Sequence, residues 1–347
     1  MLAAFGISVA YPQKLPLMTV STNSVPSMSS IDMPGPLSTA SVTACTGQNA
    51  YQTVGSWGKQ KRYDLAMADN SFPATQYKMA LAKAQKVIEL FKTTSPEFKG
   101  TEASAKRAIR GDSYVPGGAL PFGIEIHYGR YVCVGNDSPK LEARGKIILS
   151  GAYGYTTVYF NSLRDVLESV QDGGAFVTTD GDEIFEYKKN LGEFKGFTMI
   201  EPRIRDSGHE AIIITPDNRL PYKPVTREQY LQARIKAYKG QSLFADDIAS
   251  LRRALEYMSV AERQSPAIVR DITAPPARAK LFVAESEGGR HLVIVDKSFF
   301  NSKLPRDAIQ FMTVRWNWSA DDKPKAEVIR DFKENFDFQK LKQMLGK

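Results

Sequence analysis

The sequence predicts an α+β fold, in which an antiparallel β-meander sheet is flanked by amphipathic helices. Apolar residues recur at three- and four-residue intervals in a few long segments, which is typical of amphipathic helices, and at alternate positions in several short segments, which is typical of half-buried strands. The strand-like segments follow one another in groups and do not alternate regularly with helices. This order favours antiparallel pairing over a doubly wound parallel sheet.

The first ten residues, MLAAFGISVA, form an uncharged apolar run that ends in Ser8-Val9-Ala10. Signal peptidase accepts small residues at this spacing, so we interpret residues 1–10 as the end of a truncated signal peptide. The run is too short to cross a bilayer, and no later segment approaches about 18 consecutive apolar residues. We therefore expect a secreted or periplasmic protein without a transmembrane segment.

The next region, residues 11–56, is rich in Ser, Thr and Pro, and its only charged residues are Lys14 and Asp32. Such a composition offers too little periodic apolar surface to offset the entropy lost on ordering. We predict a disordered arm here. Folded sequence is then expected in two regions, an α+β domain with the β-meander at 57–225 and a helical and β-hairpin region at 226–347 that packs on it.

The region 57–225 begins with a helix at 74–93, where apolar residues recur with helical spacing. A shorter helical stretch is predicted at 101–110. Alternation from Phe122 to Ile126 then predicts a strand, and Gly129-Arg130 predicts the two-residue turn of a hairpin. The remaining prediction is a short helix at 163–171 and strands near 146–150, 153–160, 175–179, 197–201 and 210–215.

The region 226–347 begins with a helix signal. Thr226 and Gln229 fit a capping box, and Gly240 predicts the end of that helix. A second helix is predicted around 243–258, a hairpin at 279–295, a strand within IQFMTVRWNW and a charged helix from about 325.

Net charge does not identify a nucleic-acid partner. Lys and Arg exceed Asp and Glu by 46 to 38, which gives a formal charge of +8. The densest basic runs, GKQKRYD and EYKKN, are short and lie on no recognisable nucleic-acid-binding module. We interpret the excess as a solvated basic surface and expect no nucleic-acid partner.

Motifs for common catalytic, metal and cofactor sites are missing from the sequence. It contains no Gly-rich phosphate loop, no Gly-x-Ser-x-Gly elbow and no Cys-x-x-Cys. Its three histidines are widely spaced, so we expect no zinc site and no cofactor. The segment Asp180-Gly181-Asp182-Glu183 resembles half of a calcium loop, but Ile184 breaks the spacing, and a tight turn is the simpler interpretation.

The adjacent pair His209-Glu210 precedes three isoleucines and raises the question of a catalytic dyad. On a strand, neighbouring side chains point to opposite faces, so His209 would share a face with Ala211 and Glu210 with Ile212. We therefore interpret the pair as the polar end of a buried strand and assign no catalytic residue.

Two sets of residues are candidate ligand-binding groups. Glu125 and His127 share the face opposite Ile124 and Ile126, at a spacing of about 7 Å that is too long for a direct hydrogen bond unless the side chains bend, but that a ligand could bridge. Alternation in GAYGYTTVYF places Tyr153, Tyr155 and Tyr159 on one face. This tyrosine row is either a platform for stacking on sugars or an ordinary half-buried sheet face.

The two cysteines also leave alternatives open. The predicted hairpin places Cys133 opposite Ile126 on the core face, where a buried free thiol is one interpretation. In an exported protein, a Cys45–Cys133 disulfide is the other.

Three sequence segments resemble known proteins: RLPYKPVTREQYLQAR at 219–234, YMSVAERQSPAIV at 257–269 and FFNSKLPRDAIQFMTVRW at 299–316. They resemble a group of predicted secreted bacterial proteins of unknown function, over most of the chain from about residue 65. The resemblance implies export and implies no reaction.

These observations lead to three functional hypotheses. The first is a non-enzymatic binding protein of the cell envelope that contacts a glycan or an envelope protein. The second is a hydrolase of an extracellular polymer, with paired acids drawn from Glu125, Asp180, Asp182, Glu201 and Glu210. The third is a structural envelope component that binds its own copies.

Overall fold

Strands from both halves of the sequence pair in two main antiparallel sheets, and helices cover the outer faces of those sheets. The computed structural model describes residues 45–58, 73–109, 118–139, 141–170, 175–202, 208–270, 280–317 and 322–347. All of these residues belong to one compact unit, Val42–Lys347. The predicted α+β class with antiparallel sheet is confirmed.

The helices and strands of the described residues are as follows. The helices are α1 (Gly47–Gln52), α2 (Ala74–Thr94), α3 (Arg227–Tyr238), α4 (Ala245–Tyr257), α5 (Val260–Gln264), α6 (Lys323–Asn335) and α7 (Phe338–Lys342). The strands are β1 (Val54–Gly55), β2 (Phe98–Lys99), β3 (Thr101–Ile109), β4 (Phe122–Cys133), β5 (Ile147–Phe160), β6 (Glu168–Ser169), β7 (Ile184–Tyr187), β8 (Lys189–Phe194), β9 (Phe197–Glu201), β10 (His209–Ile214), β11 (Tyr222–Pro224), β12 (Ile268–Val269), β13 (Arg290–Val295) and β14 (Met312–Asn317).

The larger sheet has seven strands in the order β3-β4-β5-β14-β10-β9-β8. The second sheet has the order β11-β13-β7-β6, with β12 also paired to β13, while β1 and β2 form a separate pair. Strand β14 lies between β5 and β10, although nearly 100 residues separate it in sequence from β10. The division predicted at residue 225 therefore does not correspond to a division between the sheets.

Three apolar clusters hold these layers together. One face of the seven-stranded sheet packs against α2, α6 and α7 through residues such as Ile124, Val314 and Phe332. Part of its other face packs against the second sheet. The far face of the second sheet packs against α3 and α4. The order of layers is helix, sheet, sheet, helix, and burial of apolar area between layers is the main stabilising contribution.

Several predicted helices are confirmed. Helix α2 covers the predicted 74–93 segment, and helix α3 begins at the predicted capping box, where Thr226 Oγ1 accepts from Gln229 N and Gln229 Oε1 accepts from Thr226 N. The helix predicted around 243–258 is α4, preceded by a short 3-10 turn. The Asp180-Gly181 segment forms the predicted turn, closed by Thr178 N donating to Asp182 O at 2.9 Å.

Other local predictions are wrong. The stretch predicted as a helix at 101–110 is strand β3, because its alternating Ala103 and Ala105 pack beneath α2 on the sheet. This tertiary packing outweighs the helix propensity of its Ala, Lys and Glu residues. The helix predicted at 163–171 is a single turn at Leu163–Leu167 followed by β6. In the hairpin predicted at 279–295, only the second arm is a strand, β13.

The hairpin turn predicted at Gly129-Arg130 is also wrong. Strand β4 runs straight through both residues, between β3 on one side and a single long strand, β5, on the other. The register with β5 shifts on both sides of Gly129, and a Cβ atom there would come within 3.0 Å of Leu149 Cδ1 and 3.1 Å of Ser150 O. The glycine therefore permits close approach of β5 and does not form a turn.

The folded part begins earlier than predicted. A disulfide joins Cys45 to Cys133, and the segment between Cys45 and Trp57 contains α1 and β1. Residues 45–56 are thus folded, in contrast to the arm predicted at 11–56, and the free-thiol interpretation of Cys133 is wrong. The rest of that arm and the apolar run 1–10 lie outside the described residues.

A candidate ligand-binding face

Strand alternation gathers polar side chains on one face of β4, β5 and β14. Register pairs His127 with Tyr155 and Glu125 with Thr157, while Ile124 and Ile126 point into the core on the opposite face. We call the group Glu125, His127, Tyr155, Tyr159 and Arg315 the polar face. Four of its five members are candidates from the sequence.

Glu125 links two of the other members. The Tyr159 hydroxyl donates a short hydrogen bond to Glu125 Oε1, and His127 Nε2 lies 3.2 Å from Glu125 Oε2, where a protonated Nε2 donates a hydrogen bond. The two side chains thus contact each other directly, which their spacing along the strand allows only when the side chains bend. The side chains of Glu125 and His127 are 25% and 18% exposed, so both reach solvent.

The three tyrosines of the predicted row differ in their surroundings. Tyr159 is only 1% exposed, and its hydroxyl is engaged by Glu125. Tyr155 lies beneath Arg315, with the guanidinium carbon 4.9 Å from the ring centroid, and its ring centroid is 5.7 Å from that of His209. Tyr153 lies at a β-bulge of β5, and its side chain is outside the described part of the chain. A role for these tyrosines in ligand binding stays a prediction.

Sequence reasoning missed Arg315 and its partner Asp165. Arg315 pairs with Thr157 across the β14–β5 ladder. Its Nη2 lies 3.7 Å from Asp165 Oδ2, and its Nη1 donates to Asp165 O at 3.4 Å. Thr157 Oγ1 also donates to Asp165 Oδ2 at 2.7 Å. Alternation in IQFMTVRWNW does place Arg315 on the non-core side, but no local signal indicates that β14 lies next to β5.

The pair His209-Glu210 does not form a dyad, as predicted. His209 is buried on the side of Tyr155. Glu210 points to the opposite face, where its Oε2 accepts from Trp316 Nε1 at 2.7 Å and from Lys333 Nζ at 2.8 Å. The two side chains therefore cannot act on one substrate atom.

Of the other carboxylates proposed for hydrolysis, Asp180 and Asp182 lie in one turn, and Glu201 lies on a different element, strand β9. Glu201 pairs with Lys188 at the β8–β9 end of the large sheet, and Asp182 pairs with Lys297 beside the turn after Thr178. Within the described ranges, no three His, Cys, Asp or Glu side chains are grouped closely enough to hold a metal ion.

Comparisons with known proteins add no functional assignment. No family model, curated protein or solved structure matches this chain. No helix in the part of the chain that the structure describes has the length and apolar character needed to cross a membrane.

Proposed function

We propose that this chain is an exported, non-enzymatic binding protein that takes a polar ligand, such as a cell-envelope glycan, on its polar face. The observation that carries the proposal is the hydrogen-bonded series Tyr159, Glu125 and His127, whose last two members are partly exposed. Polar groups fixed by neighbouring hydrogen bonds are pre-organised to bind, because less conformational freedom is lost when a ligand arrives.

Two observations support export. The Cys45–Cys133 disulfide is typical of oxidising compartments outside the cytoplasm. The apolar run at 1–10, interpreted as the end of a signal peptide, points the same way.

The geometry favours recognition by hydrogen bonds over stacking on a row of tyrosine rings. Tyr159 is buried, and Arg315 lies over the ring of Tyr155. Glu125 can accept and His127 can donate or accept, which matches the hydroxyl groups of a sugar. Tyr155 and Tyr159 then serve mainly to position Arg315 and Glu125.

A glycan array with a matched pair of histidine variants tests this proposal. His127 and His291 both lie on strands, are similarly exposed, and each contacts a glutamate through Nε2. We expect the wild-type chain to bind a subset of glycans, His127→Gln to lose that binding, and His291→Gln to retain it. Circular dichroism establishes that both variants are folded.

Two results would contradict the proposal. Binding lost equally in both variants would indicate a general effect of the substitution, and the polar face would not be the site. If the wild-type chain binds no glycan, an envelope protein remains as the ligand, and a pull-down tests for it. Capture of the same partner by His127→Gln and by the wild type would then exclude the polar face as the binding site.

One observation favours hydrolysis of an extracellular polymer as a second candidate. Thr157, which pairs with Glu125 across the strands, donates to Asp165, so two carboxylates lie near one residue on the same side of the sheet. Glycoside hydrolysis uses two such carboxylates, one as a proton donor. Measurable release of sugars by the wild-type chain, abolished in both Glu125→Gln and Asp165→Asn, would favour this candidate over simple binding.

A further inference from the structure

The side chain of Arg315 is mostly buried but uses few of its hydrogen-bond donors. It is 14% exposed, and a guanidinium carries five N–H donors. Among the described residues, its one hydrogen bond is the 3.4 Å contact from Nη1 to Asp165 O, its Nη2 lies 3.7 Å from Asp165 Oδ2, and its buried Nε has no hydrogen-bond partner.

Such an arrangement is unfavourable unless another group completes it. Buried donors without partners destabilise a fold, and a cation taken out of water needs a close anion. Asp165 is a poor partner, since its Oδ2 already accepts from Thr157 at 2.7 Å and lies beyond hydrogen-bond distance of the guanidinium. The ring of Tyr155 holds the guanidinium in place from one side without using its N–H groups.

Groups of both charges lie near the guanidinium, and the two carboxylates already accept hydrogen bonds from other residues. The carboxylate of Glu125 is engaged by Tyr159 and His127, and that of Asp165 by Thr157. In the β3–β4 ladder Lys106 stands opposite Glu125 in register, and His209 lies next to Tyr155. Glu125 and Asp165 thus accept from other donors, whereas Arg315 makes one hydrogen bond and one ion pair, both to Asp165, and its Nε has no hydrogen-bond partner.

We propose that Arg315 binds an oxyanion, that is, a carboxylate, phosphate or sulfate group, of the ligand on the polar face. This inference rests on the proposed function and specifies the chemical class of its ligand. The planar guanidinium suits such groups because two parallel N–H donors can reach two oxygens of one anion.

The test uses the full chain and isothermal titration with four probes: inorganic phosphate, inorganic sulfate, an oligouronate and the methyl ester of that oligouronate. The free acid should bind more tightly than the uncharged ester. Substitution Arg315→Met should weaken binding of the free acid about tenfold or more, as expected for a charge-assisted hydrogen bond. The control Arg252→Met removes the same charge from an exposed position on α4 and should leave binding unchanged. Binding of phosphate or sulfate and not of the acid would identify the alternative source of the oxyanion.

The melting temperature without ligand separates a binding role from a structural one. Because most donors of Arg315 are unused, the double variant Arg315→Met with Asp165→Asn should melt close to the wild type. If it melts much lower and the free acid binds Arg315→Met as well as wild type, Arg315 is structural and the inference is wrong. If acid and ester bind the wild type equally, the inference fails while the proposed function stands. If no glycan on the array binds, the function proposed for a glycan fails as well.

Discussion

Neighbouring residues on β4 have opposite roles because their side chains alternate between faces. His127 reaches solvent on the polar face, whereas Tyr128 lies in the core beneath the sheet with 4% of its surface exposed. The hydroxyl of Tyr128 lies 3.2 Å from Thr156 Oγ1. Burial raises the pKa of Tyr128 to about 12, and the hydrogen bond to Thr156 offsets only part of this effect.

This pKa predicts a loss of stability in alkali. The pKa of tyrosine is about 10 in the unfolded chain, so the unfolded state loses this proton first as pH rises. The contribution of Tyr128 to the free energy of unfolding is fully present below about pH 10 and is lost as the pH rises to about 12. We expect this residue to account for about 3 kcal/mol of that decrease, measured by urea unfolding at each pH.

The control is Tyr128→Phe, which removes the ionisable hydroxyl and keeps the ring. Its free energy of unfolding should fall less steeply between pH 10 and 12. Other buried tyrosines such as Tyr222, whose pKa burial also raises, should leave a residual slope. An unchanged slope in Tyr128→Phe would mean that Tyr128 ionises freely in the folded protein.

Helices α3 and α5 begin with the same capping motif but differ in what they bury. The cap of α3 pairs Thr226 with Gln229, and the cap of α5 pairs Ser259 with Glu262. Helix α3 buries residues such as Tyr230 and Leu231 against the second sheet, whereas α5 contains no fully buried residue. Local sequence defines both starts, but only α3 is coupled to the core.

The two caps predict that equivalent substitutions have unequal effects on the free energy of unfolding. Thr226→Ala should lower the free energy of unfolding by about 1 kcal/mol, because a backbone N–H of α3 loses its partner. Ser259→Ala should have a smaller effect, because fraying of α5 need not disturb the core. Urea unfolding of both variants checks this, and equal losses would show that α5 unfolds together with the core.

The Cys45–Cys133 disulfide ties the first described residues to the end of β4 across 88 positions of sequence. The same segment is also held by Trp57 Nε1, which donates to Ser95 O at 2.8 Å, and by pairing of β1 with β2. A covalent link over a long loop stabilises a fold mainly by restricting the unfolded chain.

Removing this link should destabilise the entire unit. We expect the variant Cys45→Ala with Cys133→Ala to lose about 2 to 5 kcal/mol of unfolding free energy. Dithiothreitol should lower the melting temperature of the wild type toward that of the variant and leave the variant unaffected. If reduction does not change the melting temperature of the wild type, the disulfide contributes nothing to global stability.

Much of the fold was predictable from local pattern. Helix α2, the capped start of α3 and strand β10 follow from periodicity and capping over a few residues. The candidate site was predictable in part, because alternation alone groups Glu125 with His127 and Tyr155 with Tyr159. Arg315 was not, because its place beside Tyr155 depends on β14 inserting between β5 and β10.

Local sequence pattern is therefore enough to give the α+β class, most helices and the side chains that share a face, since these depend on interactions between residues close along the chain. Tertiary structure alone decided that 101–109 is a strand, that Gly129 is a close-approach position, and that Cys45 joins Cys133. It also decided which polar residues meet on the polar face. These outcomes depend on contacts between distant segments, whose free energy exceeds local propensity and leaves no periodic signal in the sequence.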